Sequence, residues 1–313
     1  MQTTAVVLDR PNSIDLRDVK LTSRGEFDAV IDIHWTGIST GTEKLLYDGR
    51  MPTFPGMGYP LVPGYEAVGR VVEAPANSNV SVNELVFVPG ARCYDGVSAL
   101  FGASASRLIV DTSRIYPVSD TLGRDAVLLS LAATAYHALM RSNANLPDLI
   151  IGHGVLGRLI ARMTIALGGY APTVWETNSE RRTGADDYEV INGAKDTRKD
   201  YACILDASGD PAILDIAVSH MARGGEIILA GFYNQPLLLT FPPAFMREAQ
   251  IKIAAEFTPE DIHAVIELIA DGVLSLDGLI THSTDTSNVK RSYETAFGDP
   301  SCLKMILEWR NEL

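Results

Sequence analysis

Cysteine is scarce. The 313 residues hold three, Cys93, Cys203 and Cys302, far apart and with no CxxC pair. That excludes a zinc ribbon and a disulfide framework, and an odd number of scattered thiols suits a reducing compartment. Positive charge is also short: 26 Lys and Arg face 39 Asp and Glu, for a net charge of −13. Such a surface repels phosphate backbones and anionic lipid, so neither nucleic acid nor electrostatic membrane docking is expected. No apolar run approaches the roughly 18 residues of a membrane span, and the first residues show no apolar signal-peptide core. Integral membrane association is therefore not expected and a cytoplasmic location is, with peripheral membrane contact left open. Internal repeats and low-complexity tracts are lacking too.

What is present is ordinary globular material, 46% hydrophobic and 21% charged. Single cores stop growing near roughly 250–300 residues, so two domains are expected. Residues 1–118 read as short strands with turns between them, among them 30–35, 67–72, 84–88 and 107–110. A Gly- and Pro-rich stretch, 49–64, carries Pro52, Pro55, Pro60 and Pro63 and reads as a long surface loop. From 119 the pattern changes. Helical spacing over 120–140 is followed by strands at 149–151, 173–175, 202–205 and 226–230, with helices between them. This alternation predicts a parallel sheet with crossover helices. Thr258, Pro259 and Asp261 form a helix start, Gly272 a helix stop. The tail 303–308 reads as a strand returning to the first domain. The fold class is α/β: a β-rich domain from 1–118 and 258–313, and a doubly wound parallel-sheet domain over 119–257.

The stretch Gly152-His153-Gly154-Val155-Leu156-Gly157 fits G-x-G-x-x-G between a strand and an amphipathic helix, the context that gives the motif meaning. Gly152 permits the turn, Gly154 lets backbone approach a pyrophosphate, and Gly157 lets helix and sheet pack closely. The helix N-terminus attracts the negative charge. Glu176 closes the next strand at about the 20-residue spacing at which an acid binds the adenosine ribose. Its carboxylate favours NAD over NADP, although Arg181 and Arg182 lie near and an arginine can accept a 2′-phosphate. Ser208, after the strand 202–205, and Gly231, after 226–230, are further candidates on the cofactor side. A plain turn is the other reading of each.

The chain resembles the medium-chain dehydrogenase/reductase family over nearly its whole length. Residues 37–43, GISTGTE, resemble G-I-C-G-[ST]-D. Residues 63–69, PGYEAVG, resemble P-G-H-E-x-x-G. Residues 132–139, AATAYHAL, resemble the helix entering the cofactor domain. The resemblance implies a GroES-like catalytic domain, a Rossmann domain and a homodimer. The zinc enzymes of that family place Cys, His and usually Cys in these motifs. Here the positions carry Ser39 or Thr40, Tyr65, and Ala132 or Ala133; only Glu66 remains. Zinc wants thiolate and imidazole ligands, so no metal is expected. Within the family, the stretches GISTGTEKLLYDGRMP and PLVPGYEAVGRVVEA resemble the hydroxyethyl-bacteriochlorophyllide dehydrogenases of bacteriochlorophyll synthesis. That closer resemblance implies oxidation of a 3-(1-hydroxyethyl) group on a tetrapyrrole to 3-acetyl.

Without zinc, hydrogen-bonding side chains must move the alcohol proton. By the resemblance, Thr42 aligns with the family's hydroxyl relay residue and Tyr65 stands where a ligand would. Tyr65 could hold the substrate oxygen, Glu66 could orient it or act as base, and Ser39 or Thr40 could bridge. The competing readings are a core tyrosine, a structural ion pair of Glu66 with an arginine, and Thr42 as a helix cap. A flat macrocycle needs a wide apolar slot. Loops 47–60 and 91–102 offer Tyr47, Phe54, Tyr59, Tyr94 and Phe101. Arg50 and Arg92 could meet a propionate, and His137 is a further candidate unless it only packs. Two other functions fit part of this pattern: a zinc-free quinone or enoyl reductase using NADPH, and a non-catalytic dinucleotide-binding protein.

Overall fold

Strand Asp28–Ile38 organises the first half of the chain, with Val30, Ile31 and Ile33 fully buried along it. β-Branched residues of this kind pack well on a pleated surface. The strand pairs antiparallel with Ala67–Glu73, with Arg107–Asp111 and with Met305–Glu308 near the C-terminus. These belong to a seven-stranded sheet that runs from His282–Asp285 through Met305–Glu308, Asp28–Ile38, Ala67–Glu73 and Leu85–Val88 to Tyr116–Pro117. A four-stranded sheet, led by the hairpin Gln2–Arg10 and Ser13–Lys20, accompanies it. The computed structural model describes residues 1–53, 55–143, 145–185 and 187–309. No helix among them is long and apolar enough to cross a membrane.

The other half holds six parallel strands. Across the sheet they run Glu189–Ile191, Thr173–Trp175, Leu149–Ile151, Tyr201–Asp206, Met221–Leu229 and Gln250–Ile253. The first strand in sequence lies inside and the chain winds outward on both sides, the doubly wound order that brings loops together at the carboxyl ends of the strands. Leu149, Ile204 and Ile227 are fully buried in its core.

The chain divides into one unit of Met1–Ser130 with Leu279–Leu313 and another of Leu131–Gly278. The sequence analysis drew the borders at 118/119 and 257/258. Residues 119–130 fall in the first unit because the 3₁₀ segment Gly123–Leu128 buries Ala126, Val127 and Leu128 and lies against Asp28–Ile38 and Ala67–Glu73. Residues 258–278 fall in the second, where Asp261 of helix Pro259–Ala270 bonds His137 at 2.8 Å. Thr258 and Asp261 close a reciprocal capping box there. Strands Ser13–Lys20 and Gln250–Ile253 were not foreseen. Both are largely exposed, so neither offers the buried apolar run by which strands are recognised.

An ion pair fastens the chain's end to its beginning. The Lys304 ammonium donates to both oxygens of Glu66, at 2.8 and 2.7 Å, and to the Ile38 carbonyl at 3.4 Å. Glu66 is fully buried and Lys304 nearly so. Removing one partner of such a pair strands a charge out of water and costs about 3–5 kcal/mol. Lys304→Met should lower unfolding free energy by that amount in urea titrations. The double replacement Glu66→Gln with Lys304→Met should recover part of the loss.

Candidate active site

The sequence motif 37–43 folds as a strand end, a tight bend and the short helix Thr42–Tyr47, capped by Gly41. Thr42 is thus the first helical residue and not the cap. The turn after Val62 sends Tyr65 over this bend. Its hydroxyl donates to Ser39 Oγ at 2.5 Å. Burial pushes the Tyr65 phenol well up, Glu66 adds to the rise, and the hydroxyls of Ser39 and Thr42 offset part of it as hydrogen-bond partners. Tyr65 is half-buried as a residue, and its ring meets Phe101 edge-on, with centroids 5.3 Å apart. Ser130, which the sequence analysis passed over, donates to the Tyr65 carbonyl at 2.8 Å and fixes the backbone there. Ser39, Thr42 and Tyr65 therefore form one cluster, while Thr40 points to the exposed side of the bend.

Two carboxylates lie beneath. Both oxygens of Glu66 face Lys304, so in this arrangement the acid holds the chain end and not the Tyr65 hydroxyl. Its partner is a lysine where an arginine was considered. The second acid, Glu43, drew no attention as a candidate. It is fully buried, accepting the Tyr293 hydroxyl at 2.7 Å and the Ser39 amide at 3.0 Å. Burial pushes its pKa up to about 7, against the pull of those two hydrogen bonds, and nearby Glu66 adds to the rise. These residues do not fit zinc. The donors at the motif positions are hydroxyls, Glu66 is committed to Lys304, and among the described residues no group of three or more His, Cys, Asp or Glu could hold a metal ion.

The second unit carries the glycine turn at the carboxyl end of Leu149–Ile151. Gly152 sits at φ +99, and a side chain there would meet the Ser208 amide at 3.1 Å. A Cβ on Gly157 would come within 1.9 Å of the Gly152 carbonyl, so the helix Val155–Ala166 lies as near the turn as backbone allows. A Cβ on Gly154 would meet no protein atom within 4 Å. That open space lies at a helix start whose cap has no side-chain acceptor, leaving the first-turn N–H groups of Val155, Leu156 and Gly157 for an anion. A diphosphate fits such a cradle. Glu176, ending Thr173–Trp175, accepts the His153 amide at 3.1 Å and the Asn178 amide at 2.8 Å. Ser208 and Gly231 border the same strand ends: the amide of Gly209, next to Ser208, lies 2.8 Å from a Cβ built on Gly231. Fully buried Asp206 accepts the Ser208 hydroxyl at 2.6 Å and the Tyr233 hydroxyl, and burial holds its carboxyl above the usual range.

The proposed slot residues separate. Tyr59 donates its hydroxyl to the Leu46 carbonyl, and Tyr47 packs on Phe297. Tyr94 is buried, its hydroxyl spent on the Gly102 carbonyl at 2.6 Å, so it is a core residue and not a slot wall. Arg50 is exposed and paired with Asp48 at 2.5 Å. Arg92 is exposed beside a hollow of about 180 Å³ with Asp28, Asp111 and Arg114 on its rim. His137 belongs to the second unit and is oriented by Asp261. Phe54 lies outside the described residues.

Comparison with known proteins bears on these clusters. No protein-family model matches the chain. It is 53% identical to the 2-desacetyl-2-hydroxyethyl bacteriochlorophyllide A dehydrogenase of Cereibacter sphaeroides, over 99% of both chains. It is 50% identical to the enzyme of that name from Rhodobacter capsulatus, again over 99% of both. The chain belongs to this dehydrogenase family. Its fold is that of solved alcohol dehydrogenases: one from Escherichia coli CFT073, named as a short chain alcohol dehydrogenase and solved with NADH, superimposes with a TM-score of 0.84 at 20% identity, covering 98% of this chain and 99% of the other. Family membership makes it an oxidoreductase acting on CH–OH.

Glu43 gives this dehydrogenase a pH-dependent stability. Its pKa is about 7 in the fold against the usual 4.5, so the folded state binds the extra proton. The Glu43 contribution to stability is then greatest below about pH 4.5 and falls as pH rises toward 7, by roughly 3 kcal/mol in all. Glu43→Gln keeps both hydrogen-bond positions without the charge. It should therefore be more stable than the parent at pH 8 and gain little at pH 5, as read from urea unfolding at the two values.

Proposed function

We propose that the chain oxidises the 3-(1-hydroxyethyl) group of a bacteriochlorophyllide to 3-acetyl, with NAD as cofactor and no resident metal. The observation that carries this is near-full-length identity to two dehydrogenases named for that substrate. The oxidation removes a hydride from the carbinol carbon and a proton from its oxygen. When bound, the nicotinamide ring supplies the hydride acceptor. The rest falls to side chains. Tyr65 holds the alcohol oxygen and takes its proton while passing its own to Ser39 Oγ, the hydroxyl it already donates to. Ser39 gives up its own hydroxyl proton toward water, so that each hydroxyl ends neutral and the proton of the oxidation leaves to solvent. Because burial keeps the phenol protonated, Tyr65 works as a relay and not as a standing phenolate. Thr42 supports the phenolic oxygen. The conjugated macrocycle beside the reacting carbon spreads developing charge, which lessens what the protein must stabilise.

For the cofactor, the glycine cradle would hold the pyrophosphate and Glu176 the adenosine ribose. A carboxylate there repels a 2′-phosphate, which supports NAD. Three free cysteines, all buried, suit a cytoplasmic enzyme. A homodimer is supported by the second unit's edge. Gln250–Ile253 is the last strand of its sheet, Ile253 is 71% exposed, and Phe245 and Met246 on the preceding helix are exposed as well. An open apolar edge of this kind is a pairing surface.

Incubation with hydroxyethyl-bacteriochlorophyllide and NAD should shift the pigment spectrum to that of the acetyl product. No shift with NAD or NADP would remove the substrate assignment. Tyr65→Phe should lower kcat by about 100-fold or more, and unchanged turnover would take Tyr65 out of the relay. In sedimentation the parent should run at twice its chain mass of 33.8 kDa, and Ile253→Lys combined with Phe245→Glu should run as a monomer.

A further inference from the structure

Beneath the glycine turn lies a buried guanidinium that the reaction does not use. Arg158, in the first turn of Val155–Ala166, is 5% exposed. It spends its donors on main-chain carbonyls: His153 at 3.2 Å, Arg181 at 3.2 Å, Thr183 at 2.7 Å and Gly184 at 3.0 Å. The fully buried His153 ring reinforces it. Burial, aided by the charge of Arg158, pushes the imidazole down to about 4, so the ring is neutral at pH 7. Nδ1–H donates to the Arg181 carbonyl at 2.6 Å, and Nε2 accepts the Tyr188 hydroxyl at 2.9 Å. The Arg181 carbonyl is thus held twice.

What these bonds hold is the segment that decides the adenosine end. Arg181 and Arg182 stand within a few residues of Glu176, and an arginine there can serve a 2′-phosphate. Here Arg182 is folded back, its Nη1 donating to the Glu176 carbonyl at 3.2 Å and the Thr177 carbonyl at 3.4 Å. The Glu176 carboxylate is itself fixed to the glycine turn through the His153 amide. One histidine therefore ties the acid with its backbone and the arginine segment with its ring.

The geometry points to Arg158 and His153 as positioning residues for coenzyme choice: by bolting 181–184 to the glycine turn they keep the arginines from serving a 2′-phosphate, leaving Glu176 to select the free ribose. This rests on the dinucleotide reading of the site. Specificity of this kind is a difference between two affinities, so it responds to loosening a support that neither ligand touches. Lysine at 158 keeps the charge but concentrates three donors on one nitrogen, which cannot span four carbonyls.

The test is the Kd of NADH and of NADPH, by calorimetry, for the parent, Arg158→Lys and Tyr188→Phe, with circular dichroism to follow the fold. The expected result is a fall of about fivefold or more in the NADH-over-NADPH preference for Arg158→Lys, with a smaller shift of the same sign for Tyr188→Phe, which loosens only the His153 ring. An unchanged ratio in a folded variant overturns the proposal, including the case in which both coenzymes weaken equally. Should Arg158→Lys fail to fold, Tyr188→Phe decides alone by the same criterion. The parent's own ratio judges the NAD reading separately: a parent that prefers NADPH sinks that reading, whereas the pin stands or falls on whether the ratio moves.

Discussion

A lysine ammonium clasped by two carboxylate oxygens, out of reach of water, sets the frame for the first unit's chemistry. Glu66 follows Tyr65 directly in sequence, so whatever fixes the acid fixes the backbone that presents the phenol. Lys304 reaches it from the start of the last strand and also takes the Ile38 carbonyl, at the doorstep of Ser39. The strand end bearing Ser39, the turn bearing Tyr65 and the returning chain are thereby located by one group. A buried ion pair adds little net stability over a well-packed apolar substitute. Its contribution here is placement, since each partner is costly anywhere else.

Glu43 solves the same burial problem differently. Among the described residues no cation hydrogen-bonds it; a phenol and an amide do, and its affinity for a proton rises instead. Two buried carboxylates thus sit below one hydroxyl cluster, one paired with an ammonium and the other with its pKa pushed up to about 7 by burial. A relay of hydroxyls must exchange protons without trapping them, whereas a divalent metal needs anionic donors aimed at a common point, and here the two acids are turned to Lys304 and Tyr293.

The glycine turn was legible because steric demand writes itself into spacing. Residues 152 and 157 each exclude a side chain for a different reason, residue 154 leaves open space at the helix start, and Glu176 follows at the length one helix imposes. The strand-helix alternation was legible through buried apolar runs, and exposed edges such as Gln250–Ile253 were not. Long-range partners left no trace. Nothing near Glu66 announces a lysine 238 residues away, and nothing near Glu43 announces Tyr293. The borders moved because Gly123–Leu128 has helical spacing yet serves the first unit's sheet. Tyr94 was misjudged because a Gly-rich loop reads as exposed, whereas this one folds on itself and swallows the ring. The role of the His153 ring left no trace either, since a histidine between glycines gives no hint that its imidazole is engaged from both sides.

The strand Met305–Glu308 closes a sheet begun by residues near the N-terminus. During synthesis the ribosome therefore delivers the second unit, contiguous from Leu131 to Gly278, while the first still lacks two strands of its sheet and the lysine for its buried acid. The cofactor-type half can fold as it emerges, and the half bearing Tyr65 has to wait, exposing an unfinished sheet edge and an uncompensated glutamate until Lys304 has been made. In the cell, that interval is when the nascent chain most needs a chaperone.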